Sequence, residues 1–102
     1  MNKVLNILGI AKRAGKLILG TDSVIKALPR GIIKMIILAS DVSHATYDKF
    51  DKKTYYYQVK VVTSFTTEEL SKALGVTMTK VVAITDDGFA KAIEKELERG
   101  DC

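Results

Sequence analysis

The sequence predicts an α/β protein: a three-layer α/β/α sandwich with helices on both sides of a small four-stranded sheet. Segments with apolar residues at helical spacing alternate along the chain with short apolar runs. Two of those runs, "KMIILA" at 34–39 and "KVVAIT" at 80–85, are almost continuously apolar, the pattern of strands covered on both faces. Polar caps and glycine stops stand where helices should begin and end.

Residues 2–13 set Val4, Ile7, Leu8 and Ala11 on one stripe, an amphipathic helix that Gly15 ends. "KLIL" at 16–19 is a short strand. Thr21 or Asp22 caps a second helix whose apolar side is Val24, Ile25 and Leu28. Pro29 removes a hydrogen bond and disfavours helix at Leu28, so with Gly31 it leaves that helix short or irregular at its end. After the strand at 34–39, Ala45, Phe50 and Thr54 mark a third helix, and "VKVVTS" at 59–64 is the third strand. Thr66 and Glu69 form a capping box for a fourth helix through Leu70, Ala73 and Leu74, stopped by Gly75. The strand at 80–85 leads to Asp86, which caps a last helix with Phe89, Ala90, Ile93 and Leu97 on one stripe.

A length of 102 residues leaves room for a single domain, 1–102, and 47% hydrophobic residues suffice for a core. The longest apolar run is far too short to span a bilayer, so no membrane segment is expected. The N-terminus does not read as a signal peptide, because Asn6, Gly9 and Lys12 interrupt its apolar positions. One cysteine, Cys102, excludes an internal disulfide and fits a reducing cytoplasm. One histidine and one cysteine without ligand spacing argue against a metal, and no cofactor motif is present.

The net charge of +4 is unevenly spread. Residues 1–34 hold seven basic side chains against Asp22 alone, while the rest hold nine basic and eleven acidic ones. That asymmetry suggests one face that meets polyanions, although a lysine-rich solvated surface gives the same totals.

Catalytic sets are absent from the pattern. His44 has no cysteine nucleophile near it in sequence and reads as an ordinary polar residue of a loop or helix start. Asp86-Asp87 reads as a helix cap, where a carboxylate meets free N–H groups, before it reads as a metal site. In the run Tyr55-Tyr56-Tyr57, one or two rings are expected to pack and the rest to be exposed; base stacking is the less expected alternative.

The stretch "GTDSVIKALPRG" at 20–31 is neither a phosphate-binding loop nor a dinucleotide fingerprint. Gly20 permits close backbone approach, and Lys26 falls one turn after Asp22 and Ser23 on the same helical face. Such a set can hold a phosphate or a purine edge, or can be a capped connector beside an ordinary surface lysine.

The stretch "AKRAGKLILGTDSVIKALPRGIIKMIILASDVS", with "YYQVKVV", "ELSKALG" and "VVAITDDGFAKAI" in the same order, resembles the kink-turn RNA-binding ribosomal proteins of the L-seven-Ae and L-thirty-e type, most closely their bacterial branch. The resemblance covers nearly the whole chain. It implies an α/β/α sandwich with a mixed sheet and no enzymatic activity. It implies binding to a sharply bent RNA internal loop, ribosomal or other, and association with the ribosome. The contacts it implies fall on Gly20, Thr21, Asp22, Ser23, Lys26 and Arg30 around the second helix. A second set, Val76, Thr77 and Met78, would pack an extruded base, although Val76 and Met78 read on their own as packing at the core's margin. The strongest kink-turn binders carry Asn-Glu where this chain has Asp22-Ser23. Asparagine both donates and accepts, whereas ionised aspartate only accepts and repels phosphate. A protein-interaction module that keeps the fold without RNA recognition is the alternative, and Asp22 favours it.

Overall fold

The computed structural model describes residues 2–99, so Cys102 lies outside the described residues. Helix α1 (Lys3–Arg13) begins at Asn2, whose Oδ1 accepts from the Val4 and Leu5 amides at 2.7 and 3.4 Å. Strand β1 (Leu17–Leu19) leads into α2 (Thr21–Ala27), a 3-10 turn (Leu28–Arg30) and β2 (Met35–Leu38). Then follow α3 (His44–Tyr57), β3 (Lys60–Val62), α4 (Thr67–Leu74), β4 (Val81–Ile84) and α5 (Asp87–Glu98).

Two sequence expectations change in detail. Neither Thr21 nor Asp22 caps α2; Gly20 does, without any side-chain hydrogen bond. Gly20 sits at φ 98°, ψ 147°, which turns the chain off β1 so sharply that Thr21 is already helical. The third strand is shorter than 59–64, because only Lys60 to Val62 find partners on β2. The 3-10 turn after α2 is the irregular end that Pro29 dictates.

The strands lie in the order β1-β4-β2-β3. Strand β4 is antiparallel to both its neighbours, while β2 and β3 are parallel, so the sheet is mixed. Alternation along the strands splits the core. Met35, Ile37, Val82 and Ile84 face α1, α4 and α5 through Val4, Leu8, Leu70, Leu74 and Ile93. Ile36, Leu38, Val81 and Ala83 face α2 and α3 through Val24, Leu28 and Phe50. Both central strands are buried along their whole length, as their unbroken apolar sequence requires.

Strands β1, β2 and β3 all point the same way, and α2, α3 and α4 start just beyond their carboxyl ends. That edge is called the carboxyl end of the sheet; the other is the amino end. Crevices outside strand carboxyl ends are the common ligand positions of open α/β sheets.

Candidate nucleic-acid interface

Two hydrogen bonds assemble the carboxyl end. The Gly20 amide donates to the Val81 carbonyl at 3.0 Å, which fixes the start of α2 beside the start of β4. The Ala39 amide donates to the Lys80 carbonyl at 2.8 Å, bringing in the turn after β2. The loop 75–80 therefore runs beside the start of α2, although more than fifty residues separate them in sequence.

That loop is held from below. Gly75 takes the left-handed conformation that ends α4, at φ 67°. The Val76 amide donates to the Ser71 carbonyl at 3.0 Å, and the Thr79 amide donates to Ser71 Oγ at 2.9 Å in a buried position. Thr79 Oγ1 donates in turn to the Val81 carbonyl at 3.2 Å. With its base fixed, the loop packs Val76 against the core and leaves Met78 67% exposed. Packing at the core's margin thus describes Val76 and not Met78. Val76, Thr77 and Met78 line a shallow groove together with Asp41, Thr67, Glu68, Ser71 and Lys72. Lys72 escaped the sequence reading; its signal is its place on α4 one turn before Gly75.

On α2, Asp22, Ser23 and Lys26 are exposed and Thr21 is half-buried. Val24 and Ala27 take the inward positions, so the polar set is displayed by default. Lys26 stands in the last turn, where a cation also complements the helix dipole. Arg30 lies beyond it on the 3-10 turn, about 10–15 Å along the chain axis from Thr21 at the rise of a helix.

The basic N-terminal third does not form one face. The Thr85 amide and Oγ1 donate to the Lys16 carbonyl at 3.0 and 3.1 Å, and the Lys34 amide donates to the Ile84 carbonyl at 2.7 Å. Both lysines therefore flank the last residues of β4, at the amino end. Lys12 and Arg13, in the last turn of α1 just before Lys16, follow them there. A chain that crosses the sheet with every strand distributes neighbouring cations to opposite ends.

Other polar residues have structural tasks. Asp86 Oδ2 accepts from the Phe89 amide at 3.0 Å and caps α5. His44 is exposed at the start of α3, and its Nε2 lies 3.5 Å from Asp48 Oδ2. No group of three or more His, Cys, Asp or Glu among the described residues could hold a metal ion. No described helix is long and apolar enough to cross a membrane.

Asp41 ties the turn after β2 to α4: its Oδ1 accepts from the Thr67 amide at 2.9 Å and from Thr67 Oγ1 at 2.7 Å. These bonds, with a smaller contribution from the Lys80 charge, hold its carboxyl below the ordinary value of 3.8. A depressed carboxyl stabilises the fold above its unfolded pKa, and that contribution fades as pH falls through the lowered folded value. Acid titration of stability should accordingly show an Asp41 component that is complete above about pH 4–5 and lost below it. Asp41→Asn should remove that component; an unchanged profile would show that the Thr67 bonds do not favour the ionised form.

The architecture is that of a small single-sheet α/β/α protein with its irregular loops gathered outside three strand ends. Residues 2–94 match the model of the ribosomal protein L7Ae/L30e/S12e/Gadd45 family, and the chain belongs to that family. It is 35% identical over 96 residues to RNA-binding protein YlxQ of Enterococcus faecium, covering 94% of this chain and 92% of that one. It is 31% identical over 99 residues to the large ribosomal subunit protein eL8 of Cenarchaeum symbiosum, covering 91% of this chain and 75% of that one. A solved Bacillus halodurans protein of unknown function superposes with a TM-score of 0.92 at 31% identity, over 96% of this chain and 99% of that one.

Proposed function

We propose that this protein binds structured RNA through the carboxyl end of its sheet, with a kinked internal loop as the target. The observation that carries the reading is the Gly20–Val81 hydrogen bond, which sets the start of α2 beside the loop bearing Val76, Thr77 and Met78. Family membership and the RNA-binding name of the Enterococcus relative supply the partner class. Lys26 offers the cation to a phosphate or purine edge, Thr21 and Ser23 offer hydroxyls, and Met78 offers an exposed apolar surface to an unstacked base. Arg30 lies at the margin of this surface and contributes to the positive field rather than to the reading of bases. The protein acts in the cytoplasm without catalysing a reaction, and its RNA is ribosomal or ribosome-associated, a reading supported by the ribosomal relative.

The test is a titration of a kink-turn RNA against a straight duplex of matched length at two salt concentrations. The kinked RNA should bind more tightly, and both affinities should fall with salt. Lys26→Ala should weaken the kinked complex by about 1–3 kcal/mol. Asp22→Asn with Ser23→Glu should tighten it, because the amide replaces a carboxylate that repels phosphate and the longer acid reaches further. Equal affinity for the two RNAs would remove the kinked target, and no RNA binding at all would favour the protein-interaction module.

A further inference from the structure

The tyrosine run stands apart from the surface just described. One ring of the three is largely covered and two are displayed: Tyr57 is 37% exposed, Tyr55 86% and Tyr56 77%. Helix α3 returns from the carboxyl end of the sheet, so these rings lie near the amino end, about 20 Å along a fourteen-residue helix from its start. Their backbone is nonetheless firmly held. Gln58 adopts a left-handed cap at φ 56°, and its amide donates to the Thr54 and Tyr55 carbonyls. The Val59 amide donates to the Thr54 carbonyl at 2.9 Å, and buried Thr54 Oγ1 donates to the Phe50 carbonyl at 2.7 Å. Tyr57 meets Tyr56 edge to face, with ring centroids 4.8 Å apart at 86°, which steadies the Tyr56 ring.

The charge around the rings is positive. Lys52 precedes Tyr55 and Tyr56, and Lys53 precedes Tyr56 and Tyr57, each by three or four residues, so every ring has a lysine one turn away. Tyr55, Tyr56, Lys52, Gln58 and Lys60 line one shallow concavity. Asp51 also borders it, and Lys60 Nζ lies 3.5 Å from Glu94 Oε1, so the free cations are chiefly Lys52 and Lys53. A fixed backbone that displays aromatic faces among lysines is what sequence-tolerant single-strand binding uses: rings for bases, ammonium groups for phosphates.

We infer that the end of α3 is a second RNA contact, on which unpaired nucleotides stack against Tyr55 and Tyr56 while Lys52 and Lys53 meet their phosphates. It takes its partner class from the RNA-binding reading but uses none of the same residues. A structured RNA held at the carboxyl end would thus be gripped again through a single-stranded flank.

The protein has no tryptophan, and three of its four tyrosines are in this run, so tyrosine fluorescence reports directly on it. A single-stranded uridine or adenine dodecamer should quench that fluorescence on titration. Tyr55→Ala with Tyr56→Ala should weaken dodecamer binding about 10-fold or more, whereas the two phenylalanine substitutions should leave it within about 3-fold, because stacking needs the ring and not the hydroxyl. Both rings are largely exposed, so these variants should fold, which thermal unfolding checks. Lys26→Ala should leave dodecamer binding intact, which separates this contact from the α2 surface: loss of kink preference alone sinks only the earlier reading. A parent protein that the dodecamer does not quench, or an alanine pair that binds it as the parent does, overturns the inference. So does self-association or capture of a protein through these rings without oligonucleotide binding.

Discussion

Phe50→Ala is expected to destabilise the fold by about 3–5 kcal/mol, the range for emptying a fully buried aromatic position. Phe50 is completely buried and is the largest side chain in the layer between the sheet and α2 and α3, packed among Val24, Leu28, Ile36, Leu38, Val81 and Ala83. No other large side chain of α3 is buried, so the attachment of α3 to this layer rests on Phe50. Domains of this size hold about 5–15 kcal/mol in total, so the loss is a large fraction of all that is available. Urea unfolding followed by far-ultraviolet circular dichroism measures it, with Phe50→Leu as the milder comparison. A loss below about 1 kcal/mol for the alanine variant would mean that the layer repacks freely.

Gly20→Ala is expected to cost about 1–3 kcal/mol by backbone strain alone. At φ 98°, ψ 147° the residue occupies a region that side chains with a Cβ rarely enter. An added Cβ would meet no atom beyond its chain neighbours within 4 Å, so crowding by other elements contributes nothing. Gly15 provides the control. It also has open space, but its φ of 72° falls in the left-handed helical region, which asparagine tolerates. Gly15→Asn should therefore be mild, while Gly20→Asn should be as damaging as Gly20→Ala. If the two glycines respond alike, space and not conformation governs them. Relief of strain at Gly20 would also swing the start of α2 away from β4, so, on the proposed function, the same variant should bind kinked RNA less well than its residual stability explains.

The elements were legible where one chemical requirement dominated. Met35–Leu38 and Val81–Ile84 are strands between two helical layers, as a run of four consecutive apolar positions, all buried, requires in each. The capping box of Thr66 and Glu69 forms as its spacing requires. The start of α2 was misread because a glycine with unusual dihedrals did what Thr21 and Asp22 could have done with side chains. Charge position was not legible because α1, which carries Lys12 and Arg13, packs on one layer of the sheet and α2, which carries Lys26, on the other. The groove partner Lys72 and the junction of Gly20 with Val81 depend on strand order, which local periodicity does not encode. Which of the three tyrosines would be displayed was not legible either, since helical spacing alone does not say how much of a layer Phe50 and Thr54 already fill.

The place of β4 in the sheet has a consequence for how the protein comes into being. Synthesis delivers β1, β2 and β3 first, yet β1 and β2 touch only through the strand made last, with Leu19 and Ile37 both waiting for Val82. A nascent chain lacking residues 81–84 has β2 beside β3 and a loose β1, with two apolar strand edges open to solvent. Closure of the sheet is therefore a late, long-range event, and the same pairing assembles the carboxyl end. A ribosome that pauses before Val81 holds an unfinished sheet; only when β4 and then α5 have followed can both layers close.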